Sequence, residues 1–305
     1  MKPQLRDIEY FSVVAEHGNV GRAAEALGLS QPALSKSLRR LEKSMQAKLV
    51  KRTSKGIELT SVGAALFSQV RRLRLSLDDV TREVADLSQG RAGHLRIGIA
   101  PAFPTHLVSA ACAKVLKEAP RVTFKVTVLV REDSLSALRH GELDLALTTL
   151  QAPRHEDLVE EYLFEDESVV CASTDHRLAK KGRVTLADIA QERWVVAALN
   201  TPSPQRITQV FLDAGLPPPG IAMESNSLPL RHQLLASSDL LGFASKRVVR
   251  QATPSSRFVE LRIRDLTYTR RVGVMYRKDA YLSPAAQRFI EILKATANEV
   301  TPGKP

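Results

Sequence analysis

Hydrophobic positions in the first ninety residues recur at helical spacing. Leu5, Ile8, Phe11 and Ala15 predict one face of a first helix, which Gly18 ends. A second short helix carries Ala23, Ala24 and Leu27, small enough for close packing, and Gly28 suits the backbone change that closes it. Ser30 is a good N-cap for a third helix, and Pro32 fits its first turn, where backbone N–H groups lack partners anyway. Leu34, Leu38 and Leu41 form the buried stripe of that helix, while Gln31, Pro32, Ser35, Lys36 and Arg39 fall on a different face. Two strand-like runs then flank Ser54-Lys55-Gly56 and predict a β-hairpin with Arg52 and Lys55 near its tip.

Thr60 predicts the cap of a long helix. Its apolar residues Leu66, Val70, Leu73, Leu77, Val80, Val84 and Leu87 alternate spacings of four and three, the a/d pattern of a coiled coil. A second copy of the helix would bury this stripe and make a homodimer; packing on the chain's own C-terminal half is the alternative. Gly90-Arg91-Ala92-Gly93 reads as a hinge. Beyond it the period changes. Leu95, Ile97 and Ile99 alternate as a strand, a helix follows over about 105–119, and Phe124 to Val130 alternate again. A helix over 134–140 and a strand over 144–147 complete a parallel α/β unit, and a second set of similar elements follows. The expected architecture is a winged helix-turn-helix over 1–60, a coiled-coil linker helix over 61–89 and a two-lobed α/β domain over 90–305. Ligands of open α/β sheets sit at the carboxyl ends of strands, so the cleft between the lobes is the expected small-molecule site.

Charge sharpens the first of these readings. The 305-residue chain has a formal net charge of +11, and residues 30–56 hold eight cations against one acid, Glu42. Such clustering on a capped helix and the hairpin after it is the footprint of a nucleic-acid binder. Amide, hydroxyl and cationic groups on the polar face of the third helix can read base edges and hold phosphates, and a cationic wing can enter a neighbouring minor groove. Alone, the two helices would read equally well as an αα-hairpin with a solvated face. Two cysteines make no disulfide framework, no apolar run has membrane-spanning length, and the N-terminus lacks a signal-peptide core, so a cytoplasmic protein is expected. There is no Gly-rich phosphate loop, zinc-ligand spacing or nucleophile elbow, and the seven histidines are scattered, so neither an enzyme nor a cofactor is expected.

The stretch RAAEALGLSQPALSKSLRRLE, followed by LVKRTSKGIELTSVG, resembles the N-terminal domain of the LysR-type transcriptional regulators, and GELDLAL at 141–147 resembles a recurring stretch of their C-terminal domain. The resemblance implies a regulator that binds double-stranded promoter DNA, mostly as a tetramer, meets RNA polymerase there, and takes an inducer between two lobes resembling periplasmic binding proteins. It implies DNA contacts from Gln31, Pro32, Ser35, Lys36 and Arg39 and a wing-side backbone contact from Arg52; Lys55 joins them as the second cation at the wing tip. In the cleft it points to Pro101, Ala102, Phe103 and Thr105 after the first strand and Arg131 after the second. Thr148 and Thr149 at the crossover, and Thr201, Ser203 and Asn226 in the second lobe, complete that lining. Arg131 either favours an anionic inducer, a carboxylate or sulfonate, or is a solvated surface cation. Two positions depart from the family: Gln46 stands where many members have Gly, and Ala102 where a Ser or Thr often holds an inducer carboxylate. Two rival readings are a thiol redox sensor built on Cys112 and Cys171, and a ligand-independent architectural DNA binder.

Overall fold

The computed structural model describes residues 3–53, 56–89, 93–199, 201–250 and 257–300, without the side chains of 82, 83, 85–89 and 298–300. Lys55, the Gly90-Arg91-Ala92 part of the expected hinge and the Leu87 side chain lie outside that description. The chain forms two compact units, Met1–Leu87 and Ser88–Pro305.

The first unit begins with α1 (Leu5–His17), α2 (Val20–Ala26) and α3 (Gln31–Met45). The Asn19 side chain accepts the Gly21 and Arg22 N–H groups at 2.8 and 3.2 Å, and Ser30 accepts that of Ala33 at 3.4 Å. Orphan donors at both helix starts are thereby satisfied. Leu34, Leu38 and Leu41 are buried against Phe11, Val14, Val20, Ala23 and Ala24. The buried face of α1 differs from the expected one. Leu5 is exposed, and the stripe runs through Asp7, Phe11 and Val14. Asp7 can occupy a core position because α3 supplies its partners: the Ser37 hydroxyl, and Arg40, whose Nε donates at 2.6 Å. The Arg40 guanidinium holds the Asp7 carboxyl below the usual carboxylate range.

Helix α3 stops at Gln46, which takes φ 52° and ψ 31°. Among the described residues it is the one non-glycine with positive φ. A side chain there carries a steric cost that glycine lacks. Gln46→Gly is therefore expected to stabilise this unit by about 1 kcal/mol, read as a higher thermal midpoint of its helical circular-dichroism signal.

The wing consists of β1 (Val50–Thr53) and β2 (Gly56–Leu59), paired antiparallel from Val50↔Leu59 to Thr53↔Gly56. It is tied to both neighbours. The Ile57 N–H donates to the Gly18 carbonyl at 2.8 Å, and the Glu42 carboxylate of α3 accepts the Leu49 N–H at 3.0 Å and Lys48 Nζ at 2.8 Å. Helix α4 (Ser61–Gln89) starts on the other side. Thr60 caps it by accepting the Gly63 N–H at 3.0 Å, while its own hydroxyl donates to the Lys48 carbonyl at 2.6 Å. The heptad stripe of α4 splits in two. Leu66 and Phe67 pack on the Phe11–Leu38–Leu41–Leu49 cluster, and Val70 is buried. Leu66 therefore belongs to the core of its own unit and not to a free seam. Leu73, Leu77, Val80 and Val84 remain about half exposed.

In the second unit, β3 (His94–Ile99), α5 (Thr105–Glu118), β4 (Thr123–Val128), α6 (Arg131–Arg139) and β5 (Leu145–Leu150) form a parallel βαβαβ layer with β3 central. The 16-residue β6 (Leu158–Ser173) follows. Next come α7 (Leu186–Ile189), β7 (Trp194–Val196), α8 (Pro202–Asp213), β8 (Ile221–Glu224) and α9 (Leu228–Ser237). The remaining elements are β9 (Gly242–Ser245), α10 (Lys246–Arg250), β10 (Phe258–Leu261), β11 (Tyr268–Arg277) and α11 (Pro284–Val300). Sheet order is β10-β6-β11-β5-β3-β4, with β9 also on β6. The sheet is mixed, because β6 and β11 run antiparallel from Tyr268↔Ser168 to Arg277↔Leu158 and cross between the lobes. One core gathers Leu95, Ile97, Leu107 and Phe289 in the first lobe, and another gathers Val170, Trp194, Ile207 and Phe211 in the second.

Candidate functional site

Two surfaces carry the residues singled out in the sequence. On α3, Gln31, Pro32, Ser35, Lys36 and Arg39 line one open concave face, opposite the buried leucines. Neighbouring cations are neutralised from within. Arg40 is held by Asp7, Lys48 by Glu42 at 2.8 Å and Lys51 by Glu58 at 2.8 Å. Burial opposes ionisation of Glu42, yet hydrogen bonds from Lys48, Leu49 and Val50 hold its carboxyl below the ordinary range. Lys36, Arg39 and Arg52 have no ion-pair partner among the described residues. The excess charge is thus concentrated on the polar face of α3 and on β1 instead of being spread along 30–56.

The second surface is a cavity of about 610 Å³ between the two lobes, within the size range of small-molecule sites. Pro101, Ala102, Arg131, Thr148, Thr149, Thr201, Ser203 and Asn226 line it. Phe103 and Thr105 do not. Phe103 is buried in the first-lobe core, 6.2 Å from the Phe164 ring centroid, because the loop turns its aromatic ring inward. Thr105 opens α5 and is exposed. Arg131 is the first residue of α6, with Val130 as N-cap, and does not end a strand. Its Nε donates to the Thr149 carbonyl at 3.0 Å, and Glu132 lies 3.7 Å from its Nη1.

Several lining groups are already occupied. Asn226 Oδ1 accepts the Ala198 N–H at 3.1 Å, the Thr201 hydroxyl donates to the Ala198 carbonyl at 2.6 Å, and Ser203 bonds the Tyr268 hydroxyl at 2.6 Å. Arg270 is fixed by Asp166, Nε to Oδ2 at 2.9 Å. Among the described residues, Thr148 Oγ1, Arg231 Nε and His232 Nε2 line the cavity and are buried without a hydrogen-bond partner. The N-terminal turns of α6, α8 and α9 also reach the cavity, and among the described residues no side chain caps any of the three. Helix N-termini favour negative charge.

Sequence reasoning missed Arg231, His232, Tyr268 and Arg270. One signal was available: Arg231 lies four residues before Leu235, which places a cation on the buried stripe of α9. The thiols occupy separate cores. Cys112 packs on the first-lobe core and Cys171 is buried in the second lobe. Burial pushes both thiols up, Cys171 to about 12. Among the described residues no three His, Cys, Asp or Glu side chains could hold a metal ion, and no helix is long and apolar enough to cross a membrane.

Comparison with known proteins agrees with this layout at both ends. Residues 5–64 match the model of the bacterial regulatory helix-turn-helix proteins of the lysR family, and residues 88–298 match that of the LysR substrate binding domain. The chain belongs to the LysR family of transcriptional regulators. A relative, the HTH-type transcriptional regulator GbpR of Azospirillum brasilense, is 27% identical over 300 residues, 97% of this chain and 87% of that protein. The uncharacterized HTH-type regulator YnfL of Escherichia coli K12 is 32% identical over 196 residues, 64% of this chain and 66% of that protein. The fold is shared with full-length CbnR, solved in complex with its target DNA. The TM-score is 0.59 at 20% identity, covering 96% of this chain and 99% of that one. This LysR-type regulator therefore combines a helix-turn-helix domain with an effector-binding domain of family type.

Proposed function

We propose that the protein binds promoter DNA with α3 in the major groove and the wing against the backbone. It acts as a dimer through the α4 stripe, pairs into tetramers, and meets RNA polymerase as the family resemblance implies. A small anionic effector in the interlobe cavity sets its activity. The observation that carries the DNA assignment is the α3 face itself: Gln31, Pro32 and Ser35 alongside Lys36 and Arg39, which have no ion-pair partner among the described residues. Gln and Ser can read base edges, and free cations can replace the counterions of phosphates. Arg52 is assigned to the wing-side backbone. The effector assignment rests on the cavity, its helix N-termini and its uncompensated Arg231.

A ligand-gated mechanism fits the residues better than a thiol switch, because Cys112 and Cys171 sit in different cores and burial disfavours both thiolates. An architectural role alone would leave the cavity unexplained. The test is salt-dependent binding of a promoter fragment carrying the regulator's own site. Lys36→Ala/Arg39→Ala is expected to weaken binding at least tenfold and to lower the slope of log K against log salt by about 2, one counterion contact for each side chain. An unchanged slope would remove these residues from the interface.

A further inference from the structure

Resting on the effector assignment above, we infer that the Arg231–His232 pair on α9 is the anion subsite of the cavity, and that anion binding there draws a proton onto His232. Arg231 is 92% buried by its 8% exposure, lines the cavity, and has no hydrogen-bond or ion-pair partner among the described residues. A guanidinium cannot shed its charge at physiological pH, so it stands in the cavity wall as an uncompensated cation. The other cavity arginines differ. Arg270 is neutralised by Asp166, Arg131 spends its Nε on the Thr149 carbonyl, and Arg271 is exposed over the Tyr162 ring.

His232, the next residue, lines the same cavity and has its own orphan Nε2. Its ring packs against Phe258, with centroids 5.3 Å apart. Burial, and then the charge of Arg231, hold its pKa below the ordinary value. The carboxylates on strands packed against α9 do not offset this. Asp166 on β6 is occupied by Arg270 and Ser245, Glu167 on β6 is paired with Lys246, Glu165 on β6 is exposed, and Glu260 on β10 lies beside Cys171. Glu160 and Glu161 belong to the first-lobe half of β6, opposite Met275 and Val274, and β7 and β9 carry no charged residue.

An anion seated against Arg231 cancels the positive charge that depresses His232 and accepts a hydrogen bond from its Nε2–H. Both effects raise the histidine pKa in the complex, so the proton comes from solvent on binding. The sign follows. Below the free-state pKa His232 is already charged and affinity is high; affinity falls as pH rises from the free-state to the bound-state pKa; above that it is low and flat. The chemical class favoured is a doubly charged head group, phosphate-like or sulfate-like, which uses both cations. A carboxylate needs only Arg231.

Inorganic sulfate is the probe, since it stays a dianion throughout. Full-length protein is titrated calorimetrically between about pH 5 and pH 8 at constant ionic strength. Sulfate affinity is expected to fall with rising pH by up to about tenfold per unit, with a heat that depends on the buffer's ionisation enthalpy. His232→Gln should bind with flat pH dependence, and Arg231→Gln should lose binding while Trp194 fluorescence keeps its native unfolding transition. Sulfate binding that is independent of pH, or that keeps its pH dependence in His232→Gln, would overturn the proton coupling and leave the anionic-effector assignment standing. No sulfate binding by the unaltered protein, or undiminished binding by Arg231→Gln, would overturn the subsite itself. Separately, the effector assignment fails if no small anion alters promoter binding.

Discussion

A Leu73→Glu/Leu77→Glu protein is expected to sediment as a monomer at micromolar concentration and to bind promoter DNA at least a hundredfold more weakly. Leu73, Leu77, Val80 and Val84 follow one another at spacings of four, three and four, and each is 49% to 57% exposed in the single chain. Full burial of such a side chain contributes about 1.5–3 kcal/mol and these are already half covered, so each adds about half of that, and four from each partner together favour a dimer. Carboxylates at two successive seam positions would have to be buried without partners, which reverses the sign. The loss on DNA is larger than any single contact, because a dimer binds its second half-site at an effective concentration that a monomer lacks. The monomer should remain fully helical, since neither leucine contributes to the core of the helix-turn-helix unit. A dimer that survives the double substitution would place the interface elsewhere.

Gly63→Val should unfold the DNA-binding unit in preference to the effector-binding unit. A Cβ at Gly63 would lie 1.9 Å from the Leu49 carbonyl oxygen and 2.8 Å from its carbon. These are backbone atoms, and they cannot rotate away. They are also fixed by function within the unit: the Leu49 carbonyl accepts the Thr60 N–H at 2.9 Å, and Thr60 in turn caps α4. The substitution therefore separates the wing from the start of the linker helix, at a cost of roughly 3 kcal/mol or more. Two optical signals distinguish the units. Trp194, the chain's one tryptophan, is fully buried in the second lobe, so its fluorescence follows that lobe alone. Urea unfolding of the variant should show an early loss of helical circular dichroism and an unshifted tryptophan transition. Coincident, unshifted transitions would show that the wing and the linker helix can move apart without cost.

Local chemistry made the first unit legible. Asn19 and Ser30 are caps whose bonds form within three residues, and Leu34, Leu38 and Leu41 recur on one face of one helix. Asp7 was invisible in the same pattern, because its burial depends on Ser37 and Arg40, thirty and more positions away. Only the end of the long strand β6 carries a strand pattern in the sequence. Its last stretch, Val169 to Ala172, is an apolar run, whereas Leu158 to Ser168 carries Glu160, Glu161, Glu165, Asp166 and Glu167 without a strand period and becomes a strand through its pairing with β11. The cleft followed the same division. The family resemblance, with the order of elements, places Thr148, Thr149, Thr201 and Ser203 at strand ends and helix starts that line the cavity, and Thr105 at one that does not. For Arg231 the spacing to Leu235 gives burial but not the cavity, and for Arg270 no spacing gives either, since each reaches the cavity through a tertiary fold that brings α9 and β11 together with β6.

The most direct test is selection of binding sites from a random duplex library by the full-length protein, run in parallel with Lys36→Ala/Arg39→Ala. The unaltered protein should enrich an inverted repeat whose half-sites match a two-fold dimer, and the variant should enrich nothing above background. Enrichment of the same sequence by both, or of none by the unaltered protein, would contradict sequence-specific DNA reading by α3.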